Sequence, residues 1–266
     1  MNEVELLLPR SAFTPREVAR AGDVWRAFQD VAVAGSIQSG WPPARYRDEG
    51  VSFIVRSMVV VHERETMYGE SLVGTTWPSR FRRGMFFDRE CRLRGEAGVV
   101  ARASQAWVHV GGDLSLRPAS EALVSAFPIE THDGPIELPA YVEREKVKGP
   151  RFSFDCWYTA MDPLAHVNHP AYVDWADEAL ARWLVARDLD PVQLVAVAES
   201  AQYRMGIVAA ERVDVDVEVV GMTEDGAAVF VHEVTCSGDR RAKLVTIRRL
   251  HPDPRQAALA AERLFA

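Results

Sequence analysis

Hydrophobic and polar residues alternate along much of the chain, which predicts a protein dominated by β-strands. The clearest segment is 212–220, RVDVDVEVV, where valine takes nearly every second position. This period of two indicates a strand with one buried and one solvated face. Turn-forming residues separate it from the next strands, which favours an antiparallel meander. The strands predicted are 51–61, 85–94, 98–110, 151–158, 212–220, 228–235 and 242–250.

Two longer segments have the spacing of an α-helix instead. Residues 23–38 place Trp25, Phe28 and Ala32 on one face, and residues 170–187 carry a longer apolar stripe that includes Tyr172 and Trp183. Asp23 is a natural N-cap of the first helix. Pro170 suits the first turn of the second helix, with Asn168 or His169 as its cap.

Each half therefore consists of a strand, a long helix and about four antiparallel strands. A long helix wrapped by an antiparallel sheet is the hotdog arrangement, and two such units predict an α+β double hotdog with one continuous sheet. Residues 127–150 are rich in Pro, Gly, Glu and Thr and are interpreted as a linker. The predicted units are 1–126 and 151–266.

Composition excludes several classes of function. The formal net charge is −7 and no basic block is present, which disfavours binding to nucleic acid. No stretch of about 18 apolar residues predicts a membrane span, and the start MNEVELLLPR does not resemble a secretory signal. The 3 cysteines have neither metal-binding nor disulfide spacing. We expect a reducing, cytoplasmic location.

The segment 162–172, DPLAHVNHPAY, concentrates polar and titratable groups just before the second helix. Backbone N–H groups at a helix start can stabilise an oxyanion. Asp162 could attack a thioester carbonyl or activate water, while His166 and Asn168 orient the reactants. The alternative is that Asp162 and Asn168 only cap the helix and form turns.

This segment resembles the active-site signatures of hotdog thioesterases. The 4-hydroxybenzoyl-CoA thioesterase group has a pattern close to D-P-x-G-x-V-x-x-x-x-Y, and here Ala165 stands where Gly is common. The acyl-ACP thioesterase family has a pattern close to D-x-N-x-H-V-N-N-x-x-Y-x-x-W. The positions that match it are Asp162, His166, Val167, Asn168, Tyr172 and Trp175.

Further segments resemble the acyl-ACP thioesterase family in the same order, so that the resemblance covers roughly residues 4–250. They are VRSMVV at 55–60, YGE at 68–70, TWP at 76–78, RASQAWV at 102–108 and RP at 117–118. Two departures from that family's pattern concern the site. Leu164 replaces an Asn, and Tyr203-Arg204 is followed by no Glu or Cys. Glu199, just upstream, is a weak candidate substitute.

The resemblance implies a thioesterase that hydrolyses a fatty acyl thioester of acyl carrier protein or coenzyme A, within fatty acid metabolism. Asp162 would be the base or nucleophile, with His166 and Asn168 as positioning groups, water as second substrate and no cofactor. A homodimer is left open. Two other hypotheses are a non-catalytic acyl-thioester-binding protein and a hotdog dehydratase acting on a 3-hydroxyacyl thioester.

The first half has no comparable polar cluster and is expected to supply structure and acyl-pocket walls. Trp25, Phe28, Phe53 and Trp77 are either tunnel-lining or core residues. The remaining histidines lack ligand spacing, so no metal is predicted. Clustered arginines suit an acidic carrier protein or phosphate, or are simply solvated strand ends. They are Arg80, Arg82, Arg83, Arg240, Arg241, Arg248 and Arg249.

Overall fold

A computed structural model describes residues 2–265, and the two terminal residues of the predicted units, Met1 and Ala266, lie outside it. The chain forms two compact units. The first comprises residues 2–11 and 24–137, and the second comprises residues 12–23 and 138–265. Each unit has a long helix and its own antiparallel strands, as the predicted α+β fold class requires.

The first unit contains five strands in the order β1-β3-β4-β5-β2. The strands are β1 (Asn2–Leu7), β2 (Val51–His62), β3 (Ser71–Arg82), β4 (Phe86–Gly95) and β5 (Gly98–Gly111). The helices are α1 (Ala21–Gln38), whose first three residues group with the second unit, α2 (Pro43–Asp48) and α3 (Glu121–Ala126). A 3-10 turn spans Arg10–Ala12.

The described residues of the second unit form six strands. Five follow the order β8-β11-β10-β9-β6, and the sixth, β7, pairs with the part of β9 that β6 leaves free. The strands are β6 (Tyr141–Lys148), β7 (Phe152–Asp155), β8 (Val195–Tyr203), β9 (Arg212–Thr223), β10 (Ala228–Cys236) and β11 (Asp239–Arg249). The helices are α4 (Ala171–Ala186) and α5 (Pro254–Phe265), and 3-10 turns span Tyr158–Ala160 and Pro191–Gln193.

The core of the second unit follows from the predicted alternation. Val215, Val217 and Val219 of β9 are fully buried, whereas the acidic residues between them are only partly so. Leu180 and Trp183 of α4 pack onto this surface with Phe230 of β10. Burial of such side chains contributes about 1.5–3 kcal/mol each.

Four details differ from the sequence-based expectations. Residues 141–148, inside the expected linker, form β6, an edge strand whose charged side chains hide its pattern. The helix α5 was missed because its buried stripe is mainly alanine. Strand β3 was missed because it contains Gly74 and Pro78, and its register shifts beside Pro78. Asp23 lies in the first turn of α1, not at its N-cap.

Candidate active site

The segment 161–168 folds into a tight turn in front of α4. The N–H of Asp162 donates to the carbonyl of His166 at 2.8 Å, and the N–H of Ala165 donates to the carbonyl of Asp162 at 3.0 Å. Met161 and Val167 form a β-bridge across the base of the turn. The backbone alone therefore holds residues 162 and 166 beside each other.

This turn brings the Asp162 carboxylate and the His166 imidazole together. His166 Nδ1 lies 3.6 Å from Asp162 Oδ2, and the two side chains are 21% and 12% exposed respectively. Asp162 Oδ1 accepts a hydrogen bond from the N–H of Leu164 at 2.8 Å. One carboxylate oxygen is thus fixed by the backbone, and the other faces the histidine in a position that solvent still reaches.

The geometry also indicates where His166 carries its proton. Nδ1 faces two acceptors, Asp162 Oδ2 and the carbonyl oxygen of Val167 at 3.3 Å. A neutral imidazole with its proton on Nδ1 satisfies this arrangement and leaves Nε2 as an acceptor. Gly206 lies against the ring, because a Cβ at that position would come within 3.0 Å of His166 Cβ. No pattern in the sequence indicates this contact between Gly206 and His166.

The structure shows what Ala165 and Leu164, the two residues of the turn that depart from the family patterns, do there. Ala165 has a φ of +60°, the left-handed conformation that glycine adopts most easily, and this explains the glycine common at that position. The Leu164 side chain is apolar and cannot form a hydrogen bond. Its backbone N–H, however, donates the hydrogen bond that holds Asp162 Oδ1.

Asn168 connects the turn to the helix. Its N–H donates to the carbonyl of Ala160 at 2.9 Å, and its own carbonyl accepts from the N–H of Ala171 at 3.0 Å. The Asn168 side chain is partly buried. The N-cap position itself is occupied by Pro170, so neither Asn168 nor His169 caps α4 as expected.

The expected oxyanion hole at the start of α4 needs revision. The N–H groups of Ala171, Tyr172 and Val173 donate to the carbonyls of Asn168, His169 and Pro170 at 3.0, 3.4 and 3.0 Å. Residues 168–173 form successive turns, which use these donors. The positive end of the helix dipole still lies beside the turn and favours a developing negative charge.

Two tyrosines lie beside the helix start, Tyr172 buried and Tyr203 partly buried. The Tyr203 hydroxyl donates to the carbonyl of His169 at 2.9 Å, and the rings of Tyr172 and Tyr203 meet edge to face at 5.2 Å. Burial raises the pKa of both phenols, so they stay protonated at neutral pH. The Tyr203 hydroxyl thereby holds the carbonyl of His169 just before the helix.

The candidate substitute base, Glu199, lies in a different environment. It is completely buried and forms an ion pair with Arg248, which also lies 2.9 Å from Asp177 Oδ1 in α4. Burial raises the pKa of Asp177, an effect that Arg248 opposes. The Glu199 carboxylate is thus part of a buried charge cluster that joins β8, β11 and α4.

The expected basic surfaces are mostly neutralised. Arg248 is buried, Arg249 pairs with Asp225 at 3.1 Å, and Arg240 pairs with Glu233 at 3.2 Å. In the first unit Arg80, Arg82 and Arg83 are exposed, and Arg82 pairs with Asp88 at 3.0 Å. Among these arginines, exposed positive charge therefore remains mainly at Arg80 and Arg83.

The four aromatic residues considered for an acyl tunnel divide into two groups. Trp25, Phe28 and Trp77 are almost completely buried. Phe53 is half-buried and belongs to an aromatic cluster. The centroid of its ring lies 4.8 Å from that of Phe87.

None of the helices within residues 2–265 has the length and hydrophobicity of a transmembrane segment. The same residues contain no group of three or more His, Cys, Asp or Glu side chains that could hold a metal ion.

A comparison with known protein families matches the segment that carries this site. Residues 156–258, which include the whole turn, match a family described as the thioesterase-like superfamily. No curated protein sequence matches the chain significantly.

Three solved structures resemble nearly the whole chain. A protein described as an oleoyl thioesterase from Lactobacillus plantarum has a TM-score of 0.79 and 15% identity, over 94% of this chain and 96% of that one. An acyl-ACP thioesterase from Bacteroides thetaiotaomicron gives 0.73 and 14%, over 93% and 97%. A 12:0-ACP thioesterase from Umbellularia californica gives 0.70 and 14%, over 93% of both chains. These likenesses confirm the predicted double-hotdog fold class, and the family match agrees with the resemblance of the segment 162–172 to thioesterases.

Proposed function

From the double-hotdog fold and the superfamily match of residues 156–258, we propose that this protein hydrolyses an acyl thioester to a free acid and a thiol. The observation that carries the proposal is the Asp162–His166 pair, 3.6 Å apart and partly open to solvent. A fixed carboxylate beside an imidazole is a suitable arrangement for activating water.

In the proposed reaction Asp162 Oδ2 acts as general base. It takes a proton from a water molecule whose oxygen attacks the thioester carbonyl carbon. The tetrahedral intermediate then collapses, the C–S bond breaks, and the leaving thiolate takes the proton back from Asp162. The hydrogen bond from Leu164 N–H keeps Oδ1 in place during this cycle.

Direct attack by Asp162 on the carbonyl is the alternative chemistry for the same carboxylate. It would expel the thiolate as the C–S bond breaks and form a mixed anhydride, which water then hydrolyses. A single turnover in isotopically labelled water, with hydroxylamine as a trap for the anhydride, distinguishes the two routes. Label in the Asp162 carboxylate or a trapped acyl group indicates the nucleophile, whereas label in the released acid with no trapped acyl group indicates the general base.

His166 and Asn168 are proposed as positioning groups. With its proton on Nδ1, His166 offers Nε2 as an acceptor for the second hydrogen of the attacking water. Asn168, fixed through its backbone on both sides, is proposed to direct its amide to the substrate carbonyl. The dipole of α4 adds to stabilisation of the oxyanion.

The finer assignments extend the same proposal. The substrate is a fatty acyl group on acyl carrier protein or coenzyme A, which places the reaction in fatty acid metabolism in the cytoplasm. Water is the second substrate, and the chemistry needs no cofactor. A homodimer stays an open prediction.

One observation favours a second function, acyl-thioester binding without hydrolysis. The family's Asn is replaced by Leu164, and the nearest buried acid on β8, Glu199, is paired with Arg248. A site that lacks both groups could bind a thioester and fail to cleave it.

The test is an incubation of the purified protein with acyl-CoA and acyl-carrier-protein thioesters of several chain lengths. Free acid with stoichiometric thiol supports the proposed hydrolase. Tight binding without thiol release would replace it with the binding function, and an enoyl product from a 3-hydroxyacyl thioester would replace it with the dehydratase.

A further inference from the structure

Arg89 of β4 lies on the face of the first unit's sheet that packs against α1. Its Nη1 donates to the carbonyl of Ala32 in α1 at 3.2 Å and approaches Thr76 Oγ1 at 3.4 Å. The guanidinium carbon lies 5.5 Å from the centroid of the Phe127 ring. Gly35 makes room for it, because a Cβ there would come within 3.0 Å of Nη1.

This guanidinium differs from the other enclosed arginines in having no carboxylate partner among residues 2–265. Arg92 lies 3.8 Å from Glu90 and 3.5 Å from Asp133. Arg248 pairs with both Glu199 and Asp177. The polar neighbours of Arg89 include the Ala32 carbonyl and the hydroxyl or thiol groups of Thr76, Tyr46 and Cys91, none of which is a carboxylate. The Phe127 ring lies beside it.

A guanidinium without a carboxylate partner is unfavourable in such a position. Arginine keeps its proton at ordinary pH, so the free energy of removing its charge from water is not avoided by deprotonation. Burial lowers the pKa of Arg89, yet its side chain keeps some accessible surface. Both hydrogen bonds use Nη1, so Nε and Nη2 remain as donors for a ligand. The Tyr46 hydroxyl is buried in the same region.

The arrangement is therefore rich in donors and poor in acceptors. A carboxylate is the complementary group, since it only accepts hydrogen bonds and fits the guanidinium fork. A hydrophobic cluster adjoins the site. Phe127 belongs to a cluster with Phe87, Trp41 and Leu123, and Tyr46 and Phe53 pack against the same cluster.

We propose that Arg89 anchors a carboxylate-binding site in the first unit, and that the ligand is an organic acid whose hydrocarbon part rests on this aromatic cluster. The carboxylate has two sources with the same chemistry. One is a free fatty acid, the other a carboxyl group at the far end of an acyl thioester. The second source rests on the proposed function, whereas binding of a free acid does not.

Calorimetric titration with decanoate and with decanol, which share a chain length, tests the site without any turnover. Wild type is expected to bind decanoate at least about tenfold more tightly, the range of a charge-assisted hydrogen bond. Arg89→Met should abolish the preference, while Arg89→Lys should keep part of it. Arg102→Met is the matched control, because Arg102 is an exposed arginine paired with Glu63.

Equal binding of decanoate and decanol by wild type, or an unchanged preference in Arg89→Met, would overturn the proposal and leave Arg89 as a brace for α1. A melting curve of the unliganded variants checks folding. Removal of an unpaired buried charge should not lower the melting temperature of Arg89→Met, and added decanoate should raise it only in proteins that retain residue 89 as a cation.

Hydrolysis rates then distinguish the two sources. If the ligand is the far carboxyl group of a substrate, Arg89→Met should lower kcat/KM for the CoA thioester of decanedioic acid at least about tenfold relative to decanoyl-CoA. If the ligand is a free acid, that ratio stays constant, and inhibition by decanoate weakens instead. A protein that hydrolyses no thioester but still shows the Arg89-dependent decanoate preference would refute the proposed function and not this site.

Discussion

His166 Nδ1 lies 3.6 Å from Asp162 Oδ2, and the backbone carbonyl of His166 accepts a hydrogen bond from the N–H of Asp162. The pair is therefore held by the turn itself and not by the helix that follows it. Side-chain substitutions at either position should change the chemistry of the site while the turn persists.

The first prediction concerns His166. His166→Gln should lower kcat about 10²-fold, because the attacking water loses the acceptor that orients it. Steady-state kinetics with the best thioester substrate measures this. His251→Gln is the control in the same unit, since the His251 ring lies outside the turn and accepts a hydrogen bond from the N–H of Asp253. Equal kcat values for the two variants would remove His166 from the mechanism.

The second prediction concerns the conformation of Ala165. Ala165→Gly should raise the free energy of unfolding by about 1 kcal/mol, because the φ of +60° is unfavourable for a residue with a Cβ. Ala97, in the exposed turn between β4 and β5, has no positive φ. There the same change should lower the free energy of unfolding by up to about 1 kcal/mol. Urea unfolding measures both, and destabilisation by Ala165→Gly would contradict the account.

Much of the second unit could be predicted from sequence because its periodicities are strong. The valine alternation gave β9, and the apolar stripe placed α4 within a residue at each end. Strand β6 could not be found this way, because nearly all of its side chains are exposed and no buried face produces a pattern. The helix α5 is amphipathic but buries chiefly alanine.

The site shows the same contrast between local and long-range information. Asp162, His166 and Asn168 are close in sequence, so their grouping in one turn could be expected from spacing. Contacts between segments that are far apart in the sequence could not be predicted from spacing. These include Gly206 against His166, the Tyr203 hydroxyl on the His169 carbonyl, and the Arg248 partnership of Glu199. The dependence of Asp162 on the Leu164 backbone was also hidden, since a side-chain argument ignores main-chain donors.

The third prediction separates Glu199 from catalysis. Glu199→Gln should lower the free energy of unfolding by about 3–5 kcal/mol, because it leaves Arg248 with an incomplete set of buried partners. Activity per folded molecule should stay near the wild-type value. Glu178→Gln is the control, because its exposed pair with Arg182 is worth only about 0–1 kcal/mol. A loss of activity above tenfold in folded Glu199→Gln would instead make Glu199 a participant.

The fourth prediction concerns the pH dependence of stability. Burial, with a smaller effect from nearby Arg248, lowers the pKa of His232 to about 3, and its Nε2 lies 2.9 Å from Thr246 Oγ1. Below pH about 6.5 the His232 imidazole is protonated in the unfolded chain but stays neutral in the folded protein. Stability should therefore fall by up to roughly 1.4 kcal/mol per pH unit between about pH 6.5 and 3.

The variant His232→Gln removes this titration and isolates its contribution from that of the carboxylates. The difference in unfolding free energy between wild type and variant should shrink steadily as the pH falls from 6.5 toward 3. Two profiles that stay parallel over this range would show that His232 does not titrate differently in the folded and unfolded states.

The most direct test of the central claim is kcat/KM of wild type and Asp162→Asn for one acyl thioester, with circular dichroism to confirm folding. Asparagine keeps an oxygen that accepts the Leu164 N–H but can neither take a proton nor attack a carbonyl. We predict a loss of at least about 10²–10³-fold, the scale on which loss of a general base or an oxyanion donor acts. Turnover by Asp162→Asn near the wild-type rate would contradict the assignment of Asp162 as the catalytic carboxylate.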